Sequence, residues 1–214
     1  MSHVLVVCAR RYNGHELWTA LGVMQSRGHT FEVVSTETTI RDELTLKPNT
    51  IKRVVYDVDS VNDFDAIMIV SGNMKDTEAY WDDKHVLGLI AATVELDHPV
   101  AAICCSVPTV RYAAAGKRVS FYPLVRSRER LANAGAILQT VAFSVDGKLV
   151  TAEHQMASEM WAEEFCNVLE GKPQAIVLQD SGFVPQGKPR RIPPHLQKIM
   201  DIAAREKVNN ADGS

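Results

Sequence analysis

Several features that would narrow the function at once are scarce in this 214-residue chain. Its four cysteines, Cys8, Cys104, Cys105 and Cys166, form neither a C-x-x-C motif nor an even framework of the kind that staples small secreted domains. That spacing speaks against a zinc ribbon, a thioredoxin-type redox motif and a disulfide scaffold, and no metal or cofactor is expected. No apolar run approaches the roughly 20 residues needed to span a bilayer. Met1-Ser2-His3 runs into "VLVV" without a basic n-region or a small-residue cleavage pattern, so a cytoplasmic protein with reduced thiols and no membrane partner is expected. An excess of basic charge is also missing: 23 Lys and Arg face 26 Asp and Glu, for a net charge of −3. Such a chain has no field to hold a phosphate backbone, and nucleic acid is not expected as a partner. Internal repeats and low-complexity tracts are absent.

What the chain does have is 46% hydrophobic residues arranged in alternating patterns. "HVLVVCA" (3–9) reads as a buried strand. In "HELWTALGVMQSRG", Leu17, Leu21 and Met24 fall on one helical stripe closed by Gly28, and "FEVVS" (31–35) reads as the next strand. This is a βαβ opening, which implies a right-handed crossover and a parallel sheet. Residues 36–53 are polar and irregular. "VVYDV" (54–58) suggests a short strand, "DFDAIMIVSG" (63–72) a fully buried one, residues 83–97 a helix, and "HPVAAICC" the strand that follows. A third helix is expected from Ser106 to Gly116, with Pro108 in its first turn. "AFSVDGKLVTA" (142–152) reads as a hairpin turning at Asp146-Gly147, residues 157–171 as a helix, and "AIVLQD" as a last strand. The pattern predicts an α/β fold, a doubly wound, flavodoxin-like, mostly parallel sheet with helices on both faces. That domain would cover 1–182. Residues 183–214 read as a Pro-rich basic linker, a further helix over 194–208 and a polar tail.

The stretch "PVAAICCSVP" (99–108) carries the chemical interest. Its two adjacent thiols are open to reading as core filler, a redox pair, metal ligands or a nucleophile. In open parallel sheets, sites form outside the carboxyl ends of the strands. Cys104 falls at such an end, where a strand turns into a helix, as at a nucleophile elbow. The helix start favours a thiolate, and the backbone amide of Cys105 is placed for a developing oxyanion. Gly72 ends a neighbouring strand, and Glu16 lies early in the first helix at the same edge of the sheet, suited to general acid/base work. A cysteine in an apolar strand is ordinarily filler, and Glu16 also suits a helix N-terminus. The coincidence of all three at corresponding strand ends favours the chemical reading. Asn73, Tyr80, Trp81 and Tyr122 are candidate pocket-lining residues. His154 in "TAEHQ" is a candidate proton shuttle.

At these residues the chain resembles the DJ-1/PfpI (ThiJ/PfpI) superfamily, with its class I glutamine amidotransferase-like fold. "DFDAIMIVSGN…HPVAAICCSVPT" is similar to the family pattern "yDalvlPGG…kpvaAICxGp", and the likeness runs in element order over most of 3–180. The resemblance implies an acidic residue at Glu16, the elbow cysteine at Cys104, and oxyanion amides at Gly72 and Cys105. It also implies a homodimer and no cofactor. Three departures stand out. The elbow continues Cys104-Cys105-Ser106-Val107-Pro108 instead of Cys-x-Gly-Pro, and Cys105 and "SFYPL" stand where relatives place a histidine. Ser71-Gly72-Asn73 replaces the Pro-Gly-Gly turn.

The expected function is a cofactor-independent enzyme in which Cys104 attacks a small electrophilic substrate by hydrolase, hydratase or glyoxalase-like lyase chemistry. Glu16 and His154 would move protons. The alternatives are a non-enzymatic redox-sensing or stress-protective protein, and a glutaminase-type amidotransferase domain. The latter pairs its cysteine with a later His-x-Glu, whereas Glu153-His154 here is adjacent and reversed.

Overall fold

The computed structural model describes residues 1–172. The reading of "AIVLQD" as a strand, the linker and the helix over 194–208 lie outside the described residues. Twelve strands are formed among the described residues: β1 (His3–Cys8), β2 (Arg11–Tyr12), β3 (Thr30–Ser35), β4 (Thr39–Asp42), β5 (Pro48–Thr50), β6 (Arg53–Val54), β7 (Ala66–Val70), β8 (Val100–Ile103), β9 (Arg118–Ser120), β10 (Ile137–Gln139), β11 (Phe143–Asp146) and β12 (Leu149–Ala152). The α-helices are α1 (Gly14–Ser26), α2 (Met74–Ala79), α3 (Lys84–Glu95), α4 (Val125–Asn133) and α5 (Ser158–Leu169).

The main sheet has seven strands in the order β11-β12-β8-β7-β1-β3-β6, all pairs parallel except the β11–β12 hairpin. This is the mostly parallel, doubly wound, flavodoxin-like α/β arrangement. Its central strands are buried on both faces, which is why "VLVVC" and "AIMIV" read as unbroken apolar runs instead of alternating ones. Alternate residues serve two cores. Leu5, Val7, Ile67, Ile69 and Ala102 pack with α3 and α4, whereas Val4, Val6, Met68, Ala101 and Ile103 pack with α1 and α5. The predicted stripe Leu17, Leu21 and Met24 is buried in the second of these.

Register determines where the site lies. Cys8 is opposite Val70, Ile69 is opposite Ala102, and Ala152 is opposite Ile103. The carboxyl ends of β1, β7, β8 and β12 therefore finish at one edge, and the residues after Val70 are brought beside those after Ile103.

Several elements differ from the sequence reading. "VVYDV" is not a strand: only Arg53–Val54 pairs with β3, and Val55–Asp57 forms a 3₁₀ turn that buries Val55 and Val58. The polar segment 36–53 forms the β4–β5 hairpin, which joins β2 in a separate three-stranded sheet. The helix expected from Ser106 begins at Cys104 and is a 3₁₀ helix to Ala114, kinked at Val110. Pro108 has no amide to bond the Cys104 carbonyl four residues back, and its ring crowds that carbonyl, which favours the tighter winding. The segment 117–141, unassigned from sequence, holds β9, α4 and β10. Within α4 only Ser127 and Leu131 are buried, too few apolar residues to give a stripe.

Candidate active site

Ile103 is extended (φ −132°, ψ 146°), and Cys104 immediately adopts φ +59°. A left-handed φ at a non-glycine residue costs on the order of 1–3 kcal/mol and persists only where the surroundings impose it. Here Ser106, fully buried, closes the turn. Its single hydroxyl proton is shared between the Ile103 carbonyl (2.6 Å) and the Ile69 carbonyl (2.9 Å), and its oxygen accepts from the Ile103 amide (3.2 Å). Trp81 adds a second brace, its indole N–H donating to the Cys105 carbonyl at 2.8 Å. The turn holds the partly exposed Cys104 at the strand end while Cys105, 2% exposed, faces inward.

Glu16 enters from α1, whose N-cap is Asn13, with the Asn13 side chain accepting the Glu16 amide at 3.1 Å. The carboxyl group is fully buried. Its Oε2 accepts both the Ser71 amide (3.0 Å) and the Ser71 hydroxyl (2.6 Å). Its Oε1 is buried with no hydrogen-bond partner among the described residues. Burial pushes this acid up to about 8, the Ser71 hydrogen bonds only partly opposing it and the nearby Cys105 adding to it. Glu16 is therefore mostly protonated at neutral pH, and because Oε2 is occupied as a double acceptor, the proton belongs on Oε1, as a donor in search of an acceptor.

The two thiols behave as one titrating unit. The Cys104–Cys105 hydrogen bond holds Cys105 below the ordinary thiol range, helped by Ser71, Thr77 and the Gly72 backbone against the cost of burial. The same hydrogen bond, followed by burial and the charge of Glu16, pushes Cys104 well up. The physical statement is that one proton leaves the pair early and the second late, since two thiolates side by side repel. A single shared charge is thus available at neutral pH, and transfer of one proton between sulfurs delivers it to the partly exposed Cys104.

The turn Ser71-Gly72-Asn73 forms the wall opposite. A Cβ on Gly72 would lie 2.0 Å from the Arg11 carbonyl oxygen, so glycine is required here by the crossing of β2. The Gly72 amide donates to Thr77 Oγ1 (3.0 Å), and its carbonyl accepts from the Cys105 thiol at 3.8 Å. Asn73 caps α2, its Oδ1 accepting from the Lys75 amide (3.2 Å) and from Arg11 Nη2 (2.9 Å). Tyr122 lies between β9 and α4, its carbonyl accepting from the Leu124 amide. His154 lies just past β12 and caps the turn Gln155–Ala157. Its Nδ1 accepts from the Met156 amide at 3.1 Å. Gln155 in that turn accepts from Asn13 Nδ2 at 2.7 Å, tying the His154 turn to the N-terminus of the helix that carries Glu16.

The structure thus brings Cys104, Cys105, Glu16 and Gly72 into one cluster. Asn73 follows Gly72 as the cap of α2, and His154 caps the turn after β12. Two supporting residues had no role assigned from sequence, Ser71 and Thr77, while Trp81, a candidate pocket-lining residue, braces the elbow through its indole N–H. Ser71 carried a signal, because a serine replacing proline beside a buried acid supplies two donors, its amide and its hydroxyl. Thr77 carried none, since its role depends on how α2 packs. Among the described residues, no group of three or more His, Cys, Asp or Glu side chains is placed to hold a metal ion, and no helix is long and apolar enough to cross a membrane.

The model of the DJ-1/PfpI family matches residues 2–167. The uncharacterized protein MJ0967 of Methanocaldococcus jannaschii is 27% identical over 169 residues, covering 78% of this chain and 82% of that protein. The crystal structure of a ThiJ/PfpI domain protein from Brachyspira murdochii superposes with a TM-score of 0.71 at 22% identity, covering 80% of this chain and 98% of that one. Drosophila melanogaster DJ-1beta gives a TM-score of 0.67 at 22% identity, covering 80% and 92%.

Proposed function

From the premise that this chain belongs to the DJ-1/PfpI family, we propose that it is a cofactor-independent enzyme in which Cys104 attacks a small electrophilic substrate. The observation that supports this most is the left-handed Cys104 (φ +59°), held between strand and helix beside a second thiol and a buried acid. A backbone cost of that kind is tolerated where a side chain must be presented, as at nucleophile elbows.

The first chemical step follows from the protonation states. One proton of the Cys104–Cys105 pair has left, and the remaining proton moves to the Cys105 sulfur as the Cys104 sulfur closes on an electrophilic carbon. A C–S bond forms; for a carbonyl substrate the π electron pair moves onto oxygen, and for an isonitrile the negative charge is left on the carbon attacked. Glu16, protonated with a pKa raised to about 8, supplies the proton that neutralises this oxygen or carbon and is left as a carboxylate acceptor for the return step. The Cys105 amide at the helix start is the backbone donor assigned to the developing anion. His154, in the turn tied to the α1 N-terminus, is assigned the exchange of protons with solvent.

The test is a screen of 2-oxoaldehydes, amides and isonitriles against the wild type and Cys104→Ala. Turnover of one class by the wild type, falling at least about 100-fold in the variant, is the expected result. Equal turnover in Cys104→Ala would sink the proposal.

A further inference from the structure

We infer that the cavity lined by Arg10, Arg11, Glu37, Thr39 and Arg41 is a binding site for the oxyanion group, carboxylate or phosphate, of a small molecule. It encloses about 230 Å³, room for a small dianion with some of its water. Three of the five lining side chains are guanidiniums and one is a carboxylate.

The way the chain assembles this cavity makes it more than a scatter of surface charge. Arg10 and Arg11 directly follow the carboxyl end of β1, the edge at which open parallel sheets take their ligands. The β2–β4 pairing then places Arg11 opposite Arg41, and the Arg41 amide bonds the Arg10 carbonyl at 2.8 Å. Like charges directly opposed across paired strands destabilise the pairing unless something neutralises them. Part of that neutralisation is internal. Arg11 is fixed by Asp76 (Nε to Oδ2 2.7 Å, Nη2 to Oδ1 3.3 Å) and by Asn73. Arg10 reaches Glu37 Oε1 at 3.1 Å and Asp76 Oδ1 at 3.5 Å. Arg41 is different. Its guanidinium makes one long bond, to the Leu46 carbonyl at 3.4 Å, and among the described residues it has no carboxylate partner. The cavity thus holds a guanidinium fork fixed at its base by Asp76 and a second fork, from Arg41, left for a ligand. Guanidiniums suit the planar or tetrahedral oxygens of carboxylate and phosphate. Thr39 adds a hydroxyl at the rim.

This inference does not depend on thiol chemistry at Cys104, although the two sites share a wall: the Arg11 carbonyl packs on Gly72, whose own carbonyl accepts from Cys105. Isothermal titration of the full chain with inorganic phosphate and, separately, with malonate, at constant ionic strength, reads binding directly. Saturable binding of one or both is expected. It should weaken at least about fivefold in Arg41→Gln and in Arg10→Gln, and be unchanged in Arg128→Gln, a surface arginine outside the cavity. Circular dichroism of each variant establishes that it is folded. Absence of saturable heat for both anions in the wild type, or equal affinity in wild type, Arg41→Gln and Arg10→Gln, overturns the assignment.

Discussion

Cys8 and Cys105 are both almost wholly buried near carboxyl ends of the same sheet, yet their acidities move in opposite directions. Cys8 is the last residue of β1 and faces the core made with α1 and α5. Burial there pushes its thiol up to about 12, with only Ser35 opposing, and burial does the same to Cys166 in α5. Cys105 is held below the usual range, because the Cys104 thiol, Ser71, Thr77 and the Gly72 backbone all favour a charged sulfur and together outweigh its burial. Burial alone makes a thiol inert. Burial among donors makes it an acid, and the difference lies in what stands within a few ångströms, not in depth.

The contrast can be broken at its strongest point by Cys105→Ala. The remaining thiol then lacks the partner that shares its charge, and alkylation of Cys104 by iodoacetamide at neutral pH is expected to slow about tenfold, with its pH profile displaced upward by about one unit. Cys105→Ser, which keeps a donor, should fall between. A profile that does not move would show that the pair does not act as a unit.

The buried acid sharpens the comparison through stability. Glu16 has an ordinary value of 4.5 and a folded value of about 8, so the folded state binds the extra proton between those limits. Its contribution to stability is full below about pH 4.5 and is lost as pH rises through about 8, because ionisation in the folded state charges a desolvated carboxyl. Urea unfolding across that window should show the wild type losing a few kcal/mol, while Glu16→Gln stays much flatter. Parallel curves for the two proteins would place the acid in a far more polar setting than described.

The smallest effect is expected on the inert side. Cys8→Ala removes one sulfur from a packed core and should cost about 1 kcal/mol in urea unfolding. It should leave the rate and pH profile of Cys104 alkylation unchanged. A change at Cys104 would mean that the two thiol environments communicate along β1 and β7.

Much of the frame was legible before the structure. "HVLVVCA", "DFDAIMIVSG" and the late hairpin read correctly because fully buried strands and tight turns impose their own composition; the turn itself lies one residue later than read, at Gly147-Lys148, with Gly147 at φ +63°. The 36–53 segment and the Arg-rich α4 did not, since a two-residue pairing with β2 and a helix burying only Ser127 and Leu131 leave almost no periodic trace. At the site, the convergence of Cys104, Glu16 and Gly72 followed from strand ends alone. The reason for Gly72 did not: the resemblance implied an oxyanion amide there, whereas the structure requires glycine because the Arg11 carbonyl approaches so closely.

By itself, then, the order of apolar runs, helix stripes and turn glycines determined a doubly wound sheet with Cys104 at a strand end, because those signals are local and repeat with the period of each element. Only the tertiary structure decided which thiol bears the charge, that Glu16 holds a proton, and that Arg11 and Arg41 face one another. The last two depend on neighbours 30 or more positions apart, Ser71 on Glu16 (55 positions) and Arg41 opposite Arg11 (30 positions), and the first on two adjacent thiols meeting among Ser71, Thr77 and the Gly72 backbone where packing excludes water.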